Sequence, residues 1–235
     1  MRKLCVLTYN CRHRKTYDTL CLLKASGYSD VTVYAQPMTY TKKRFPLVQH
    51  RPGLNVNIPE TKELCENFGY NYIEGQFSDT VNEQEKQLFL LCGAGLLDEE
   101  FISRYRIINS HPGYIPLARG LDSFKWALYY HLPIGVTTHF LGEYVDAGEV
   151  IERREIPIND TDTFHSLALR VYENEIDMLV HAVGLAECEH QFIVPQNTEI
   201  FKRMPEQTER ELIERFHIGL KEYYDQKGDK DRAVP

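Results

Sequence analysis

Long apolar runs are missing from this 235-residue chain. No stretch approaches the roughly 20 consecutive apolar residues that a membrane-spanning helix requires, so we expect no membrane span. The first residues also lack the apolar centre of a secretory signal peptide, because a strand pattern already begins at Lys3. These two absences predict a cytoplasmic protein.

Paired cysteine motifs are missing as well. The chain has six cysteines, but no two have the C-x-x-C spacing that is typical of a structural zinc site. A chain of this length does not need a disulfide framework, and Cys5 and Cys92 lie inside apolar runs, where a thiol is a small core residue. We therefore expect reduced cysteines, a reducing compartment and no metal ion.

Positive charge is in deficit. Lysine and arginine number 27 against 34 acidic residues, which gives a formal net charge of -7. Proteins that bind nucleic acid normally carry a basic surface, so nucleic acid is not an expected partner. An anionic small molecule remains an open class of substrate, because local clusters of cations matter more for such a ligand than net charge does.

A glycine-rich turn is also missing after the first strand pattern. The segment from Tyr9 to Tyr17 contains no glycine, so the G-x-G-x-x-G fingerprint of a dinucleotide site is absent there. Apolar residues make up 43% of the chain, enough for one large core. We predict a domain over residues 1–185 and a small C-terminal extension over residues 186–235.

Strand and helix patterns alternate along the chain, which predicts an α/β fold with a mostly parallel, twisted sheet flanked by helices. Predicted strands cover residues 3–8, 31–35, 71–74, 88–92, 106–109, 136–141 and 149–156. Predicted helices cover residues 17–26, 60–68, 99–104, 123–131, 161–184 and 207–224. A proline-rich irregular segment lies between residues 36 and 59, and a loop of that length in a compact domain is usually functional or mobile.

One segment combines several chemically active side chains. Asn109 and His111 stand in the sequence Asn-Ser-His-Pro-Gly directly after a strand pattern, and Asp146 follows 35 residues after His111. An amide donor, an imidazole and a carboxylate that orients the imidazole are the groups needed to transfer an acyl group. Taken singly, Asn109 and His111 also fit a structural turn, and Asp146 fits a turn that ends at Gly148.

Three motifs together resemble the formyltransferase family. They are Asn109-x-His111-Pro with the downstream Gly120, the segment 135–140 (Gly-Val-Thr-Thr-His-Phe) and the segment 145–148 (Val-Asp-Ala-Gly). This family includes glycinamide ribonucleotide transformylase, methionyl-tRNA formyltransferase and sugar-nucleotide N-formyltransferases. The resemblance implies a Rossmann-like fold, N10-formyltetrahydrofolate as the donor, an amine as the acceptor, no metal, and Asn109, His111 and Asp146 as the catalytic set.

The resemblance also implies where the folate binds. Leu141, Gly142, Val145 and Asp146 belong to the loop that corresponds to the pterin cradle of the family. Backbone groups of Gly95, Leu96 and Leu97 would face the other edge of the pterin. His139 lies in the strand before this loop, and its alternation with buried neighbours fits a structural histidine as well as a site residue.

The acceptor side departs from the purine enzyme, which has a glycine- and serine-rich phosphate loop after its first strand. This chain has a basic run there, and the long loop carries Lys42, Lys43, Arg44, His50 and Arg51. Cationic side chains of this kind hold diphosphates, although charge runs are usually solvated surface. Tyr34, Tyr40 or Phe45 would stack on a base. The predicted substrate-binding residues are Arg12, His13, Arg14, Lys15, Arg44 and Tyr114.

Residues 114–116 and 119–126 resemble the sugar-nucleotide branch most. The first functional hypothesis is therefore formyl transfer to the amino group of a nucleotide-linked amino sugar, such as a dTDP- or GDP-4-amino-4,6-dideoxy sugar, in O-antigen biosynthesis of lipopolysaccharide. The alternatives are a glycinamide ribonucleotide-type formyltransferase and a non-catalytic protein that binds a sugar nucleotide or folate. The apolar and aromatic residues after Pro195 lead us to expect a homodimer.

Overall fold

The computed structural model describes residues 3–38, 45–52, 57–81, 86–95, 97–195 and 200–215. Within these ranges the strands are β1 (Lys3–Tyr9), β2 (Val31–Gln36), β3 (Asn71–Glu74), β4 (Gln87–Leu91), β5 (Arg106–His111), β6 (Gly135–Phe140), β7 (Gly148–Glu155) and β8 (Gln191–Ile193). The helices are α1 (Arg14–Ala25), α2 (Thr61–Phe68), α3 (Phe77–Thr80), α4 (Glu99–Arg104), α5 (Ser123–Tyr130), α6 (Phe164–Leu185) and α7 (Glu206–Arg215).

All the strands of the described ranges belong to one sheet with the order β3-β2-β1-β4-β5-β6-β7-β8. The pairs from β3 to β5 are parallel, and the pairs from β5 to β8 are antiparallel. The structure therefore confirms the α/β class and the mostly parallel sheet, and it adds an antiparallel end. Strand order reverses beside β1, which is the arrangement that opens a ligand crevice at the carboxyl ends of the strands.

The central strands are buried on both faces, which explains their continuous apolar sequences. In β1, Leu4 to Leu7 are at most 7% exposed, and in β4, Phe89 and Leu90 are fully buried. The helices α1 and α6 pack together against one face, where Leu20, Leu23 and Leu179 fill a shared core. This packing brings the first turn of α1 close to the middle of α6.

Several predicted boundaries were wrong by a few residues, and two of them concern the site. Helix α1 begins at Arg14 rather than Tyr17, so the basic run enters the helix. Strand β5 continues to His111, because Ser110 and His111 pair with Thr138 and Thr137 of β6. The short elements α3 and β8 were not predicted at all. Arg44 and Leu96, like Lys42, Lys43 and Tyr40, lie outside the described residues.

The structure bears on two expectations from the sequence, which concern membrane spans and disulfide bonds. No helix in the described part of the chain is both long and apolar enough to cross a membrane. No disulfide joins any of the six cysteines, each of which lies in a described range. Strand β8 extends the main sheet, while the division into residues 1–185 and 186–235 stays a prediction.

Candidate active site

Strand β5 carries two of the predicted catalytic residues on one face. Asn109 and His111 are two positions apart, and side chains at that spacing point to the same side of a strand. The antiparallel neighbour β6 places His139 directly opposite Asn109. The pairing therefore brings an amide and two imidazoles together at the end of the parallel half of the sheet.

Asp146 reaches these residues from the loop between β6 and β7. Its Oδ1 lies 3.4 Å from Nδ1 of His111 and 3.7 Å from Nε2 of His139. Its Oδ2 accepts a hydrogen bond of 2.9 Å from the backbone N–H of Gly120. Asp146 has a φ of 45°, a left-handed conformation that costs a residue with a side chain about 1–3 kcal/mol. Contacts on both carboxylate oxygens hold it in this conformation.

The ring of His111 lies between two acceptors. Its Nε2 is 3.0 Å from the carbonyl oxygen of Ala118, to which it must donate, and its Nδ1 faces Asp146. A neutral imidazole has one N–H and satisfies only one of these acceptors, whereas the protonated ring satisfies both. His111 is thus placed to gain a proton at Nδ1 and to hold it against the carboxylate.

The surroundings of this pair favour a charged Asp146 and a neutral His111. Burial would raise the pKa of Asp146, but His111, His139 and the Gly120 N–H outweigh burial and hold that pKa well below its usual range. Burial lowers the pKa of His111, and the Asp146 carboxylate opposes this shift without cancelling it. At neutral pH, Asp146 is charged and His111 is neutral, so the pair can take up one proton at Nδ1 of His111.

His139 is a member of the site, a role that its sequence left undecided. The side chain is fully buried, and its Nε2 lies 3.3 Å from Nδ2 of Asn109. The other ring nitrogen lies 3.1 Å from the carbonyl oxygen of Phe140, so Nδ1 carries the proton and Nε2 accepts from the amide. Since an amide nitrogen has two N–H groups, this contact orients Asn109 and leaves its second N–H for a ligand.

Arg119 fixes the loop that carries Asp146. Its Nε and Nη2 donate hydrogen bonds of 3.0 and 2.7 Å to the carbonyl oxygen of Val145. Sequence reasoning missed this role. Arginine is seldom as well buried as Arg119, which is only 5% exposed. The neighbouring Gly120 supplies the N–H that binds Asp146, so the segment after β5 and the loop after β6 support one another.

The predicted folate-binding residues lie on two adjoining segments. Leu97 and Leu141 pack against the same apolar cluster, beside Phe89 and Ile107. Gly142 and Val145 are exposed on the loop, and a Cβ added at Gly142 would meet no atom within 4 Å. Gly95 has a φ of 67° and lies near the hydroxyl of Tyr9. Their role stays a prediction, and Leu96 is outside the described ranges.

The basic run at the start of α1 is engaged in contacts with the protein. Arg12 lies 3.2 Å from Glu60, and Arg14 donates to Asp18 at 2.7 Å. His13 contacts the hydroxyl of Thr16 at 2.8 Å, and burial lowers its pKa to about 4. The guanidinium carbon of Arg153 lies over the ring of Tyr114, 5.3 Å from the ring centroid. Their predicted contact with substrate remains a prediction.

Lys15 belongs to a buried charge cluster that sequence reasoning missed. Its Nζ lies 2.8 Å from Oε1 of Glu175, which also receives Nη2 of Arg51 at 2.7 Å. Glu175 is fully buried on α6, and Lys15 also donates to the carbonyl oxygen of Ser110. The available signal was an acidic residue on the apolar stripe of α6, four positions after Val171 and four before Leu179.

Metal-binding chemistry finds no support in the part of the chain that the structure describes. No group of three or more histidine, cysteine or acidic side chains there is arranged to hold a metal ion. The site instead offers an amide donor, a proton-accepting pair and backbone groups. These groups fit acyl transfer, in which negative charge develops on an oxygen and a proton leaves the attacking group.

Comparisons with known proteins point to one family. The family model described as Formyl transferase matches residues 66–183, which is half of the chain. Phosphoribosylglycinamide formyltransferase of Haemophilus influenzae is 28% identical over 123 residues, a match that covers 50% of this chain and 58% of that protein. The chain therefore spans little more than half the length of this curated relative.

Two solved structures show the same fold. A 4-N formyltransferase from Francisella tularensis has a TM-score of 0.58 at 17% identity, covering 86% of this chain and 76% of that one. An N-formyltransferase from Helicobacter canadensis, in complex with folinic acid and dTDP-3-aminofucose, has a TM-score of 0.59 at 15% identity, covering 88% and 72%. The fold, the motif-bearing site and the family model over half its length show that this chain belongs to the formyl transferase family.

Proposed function

We propose that this protein transfers a formyl group from N10-formyltetrahydrofolate to the amino group of a nucleotide-linked amino sugar. The observation that carries the proposal is the constellation of Asn109, His111, His139 and Asp146 at the end of the parallel strands. It provides the groups that acyl transfer to an amine requires, within a fold that the formyl transferase family uses.

Asn109 and the His111–Asp146 pair divide the chemistry between them. The second amide N–H of Asn109 donates to the oxygen on which negative charge develops when the amine attacks. One such donor is worth about 2.7–4 kcal/mol of barrier. The attacking amine forms its bond to the formyl carbon as a neutral base and must then lose a proton. His111 is neutral and faces a carboxylate, so this pair takes up that proton. When the bond between the formyl carbon and N10 then breaks, His111 returns the proton to N10 of the departing tetrahydrofolate.

The loop after β6 fits a folate. Leu141 and Leu97 pack against one apolar cluster, and Gly142 and Glu143 of the loop are exposed and leave their backbone groups accessible to a ligand. A pterin ring has a flat apolar face and a hydrogen-bonding edge, which match these two features. When bound, the folate supplies the formyl group. Asp146 directly follows the proposed folate-binding loop residues 141–145 in the chain.

The acceptor class rests on the sugar-nucleotide resemblance and on the basic N-terminal region. The structural match covers 76% of the 4-N formyltransferase of Francisella tularensis and 72% of the N-formyltransferase of Helicobacter canadensis, which was solved in complex with dTDP-3-aminofucose. Segment 10–15 (Asn-Cys-Arg-His-Arg-Lys) replaces the glycine- and serine-rich phosphate loop of the purine enzyme. We infer that the acceptor is a nucleoside diphosphate sugar with a free amino group on the sugar.

A second candidate, formylation of a purine precursor, is favoured by the sequence relatives. Phosphoribosylglycinamide formyltransferases of Haemophilus influenzae and Bacillus subtilis are 28% and 29% identical over parts of their lengths. The distinguishing experiment incubates purified protein with N10-formyltetrahydrofolate and either glycinamide ribonucleotide or a panel of dTDP-, GDP- and UDP-linked amino sugars. Mass spectrometry then reports a gain of one formyl group on the acceptor.

The two candidates predict opposite results in this assay. Formylation of an amino sugar nucleotide with no product from glycinamide ribonucleotide supports the first candidate. Product from glycinamide ribonucleotide alone overturns it in favour of the second. Binding of sugar nucleotide without turnover on any acceptor contradicts both, and would identify a non-catalytic binding protein.

A further inference from the structure

A pocket lies between residues 49–52 of the loop after β2 and the start of α6. It has a volume of about 270 Å³. The loop contributes Gln49, His50, Arg51 and Pro52, and the helix contributes His165, Ala168 and Leu169. The lining therefore contains one guanidinium, two imidazoles and no acidic side chain.

The surroundings of this pocket are also positive. Burial lowers the pKa of His50 well below its usual value, and Arg51, Lys125, Arg203 and His111 lower it further. Lys125 is balanced by Glu209, and Arg51 shares Glu175 with Lys15. One carboxylate thus serves two cations beside the pocket, which leaves an excess of positive charge there.

Contacts from three other elements hold the loop in place. The N–H of Leu47 donates to Oε2 of Glu209 on α7 at 3.0 Å. The ring of His50 lies 6.0 Å from that of Phe124 on α5. Arg51 bonds to Glu175 on α6. Residues 47–51 of the loop are consequently held by contacts with α5, α6 and α7.

A chain of polar contacts connects Arg51 in this pocket with the catalytic centre, because Arg51 and Lys15 bind the same Glu175 oxygen and Lys15 donates to the Ser110 carbonyl. Arg51 is close enough to lower the pKa of His111, and it lies on the same carboxylate as Lys15, which contacts the backbone of Ser110 beside His111. Its side chain is still 43% exposed. The guanidinium has five N–H groups, so it can contact Glu175 and an incoming anion at once.

We propose that this pocket, with Arg51 and His165 as its main donors, binds the diphosphate of the acceptor while the sugar amine lies at Asn109 and His111. The inference rests on the proposed function, because it names the position of one part of that acceptor. A guanidinium matches the geometry of phosphate oxygens through paired hydrogen bonds, and a diphosphate offers more oxygens to Arg51 and His165 together than a monophosphate does.

The test measures binding of inorganic pyrophosphate and inorganic phosphate to the full-length protein by calorimetry. We expect pyrophosphate to bind more tightly than phosphate, and its affinity to fall at least tenfold in Arg51→Gln and in His165→Ala. The control is Arg104→Gln on α4, which removes one positive charge from an exposed ion pair with Glu100 and should bind as the wild type does. His165→Ala leaves the buried Glu175 cluster intact, so it separates loss of the pocket from misfolding.

Several results would overturn the subsite. These are no pyrophosphate binding by the wild type, equal affinity for phosphate and pyrophosphate, or unchanged affinity in both pocket variants. Formyl-transfer kinetics separate this failure from failure of the proposed function. If amino sugar nucleotides are formylated with the same KM by the wild type and both variants, the function stands and the subsite is wrong. A KM raised at least tenfold for the sugar nucleotide alone, with the folate KM unchanged, supports both.

Discussion

Asp146 has the strongest electrostatic role of any single residue in the site. Its carboxylate contacts His111, lies near His139 and accepts the N–H of Gly120, although it is held in a left-handed backbone conformation. Buried carboxylates normally have raised pKa values, and here His111, His139 and the Gly120 N–H outweigh that effect and lower the pKa. The residue therefore stays ionised and raises the proton affinity of His111 relative to a site without it.

Replacement of Asp146 by asparagine tests this coupling. The carboxylate opposes the effect of burial on His111, so its removal should lower the pKa of His111 below its wild-type value. Histidine ring signals followed by NMR across a pH titration would report the shift. The control is Asp30→Asn, which replaces an exposed acid just before β2, and it should leave the titration of His111 unchanged. An equal or higher pKa of His111 in Asp146→Asn would contradict the assignment.

Among the elements, the turn after β5 sets the position of the His111 ring. Gly113 lies in this turn, and an added Cβ would come within 2.7 Å of Nε2 of His111 and closer still to the carbonyl oxygen of Ala118. These are the two atoms that form the hydrogen bond orienting the ring. The close approach of backbone to side chain explains why a glycine stands at this point.

Gly113→Ala should therefore reduce kcat at least tenfold while the fold is retained, because the ring of His111 must move to admit a methyl group. Formyl-transfer kinetics and circular dichroism would measure the two effects. Gly184→Ala on α6 is a matched control, since its added Cβ meets no atom within 4 Å and alanine favours a helix. Wild-type turnover in Gly113→Ala would show that the turn does not position His111.

The first turn of α6 depends on Asp162 in a comparable way. Its carboxylate receives two hydrogen bonds from Arg170, at 2.8 and 2.7 Å, and one from the N–H of Asn159. The Arg170 guanidinium lowers the pKa of Asp162 from 3.8 to about 2. Because the folded-state pKa is depressed, the stabilisation is complete above about pH 4 and is lost as the pH falls through about 2.

Asp162→Asn should lower the free energy of unfolding by about 2 kcal/mol at neutral pH, since one pKa unit corresponds to about 1.4 kcal/mol. The difference from the wild type should shrink as the pH falls from about 4 to 2. Urea unfolding at several pH values would measure it. A deficit that does not change with pH would mean that Asp162 acts through shape and not through charge.

The elements also show what the sequence could predict and what it could not. Apolar patterns located β1 and the body of α6 nearly to the residue, because burial determines these patterns. The capping signal of Asp98 located α4, which has no fully buried residue. Pairing partners determine the end of β5 and the position of β8, so neither could be read locally. The motifs identified Asn109, His111 and Asp146, whereas the roles of His139 and Glu175 depend on contacts 30 to 160 residues away.

At the scale of the whole molecule, the last described helix, α7, is joined to α5 by a buried ion pair. Glu209 on α7 receives Lys125 on α5 and the N–H of Leu47, and both charged side chains are almost completely inaccessible to solvent. Loss of one partner leaves an uncompensated buried charge. The pair thus links α7 with α5 and with the loop that carries Arg51.

Glu209→Gln should lower the free energy of unfolding by about 3–5 kcal/mol, because Lys125 then keeps a buried charge without a counter-ion. The double variant Lys125→Met with Glu209→Leu should recover most of this loss, since it removes both charges together. Urea titrations would compare them. Equal stability of the wild type and Glu209→Gln would show that this ion pair does not hold α7 against α5.

The central claim is that Asn109 and the His111–Asp146 pair transfer a formyl group. The most direct measurement follows a ¹³C-labelled formyl group from N10-formyltetrahydrofolate to a nucleotide-linked amino sugar, using the wild type, Asn109→Ala and the exposed control Asn71→Ala. We predict a labelled formamide with the wild type and with Asn71→Ala, and a kcat lower by about 100-fold or more in Asn109→Ala. Label transfer by Asn109→Ala at the wild-type rate, or no transfer by the wild type to any amine tested, would contradict the account.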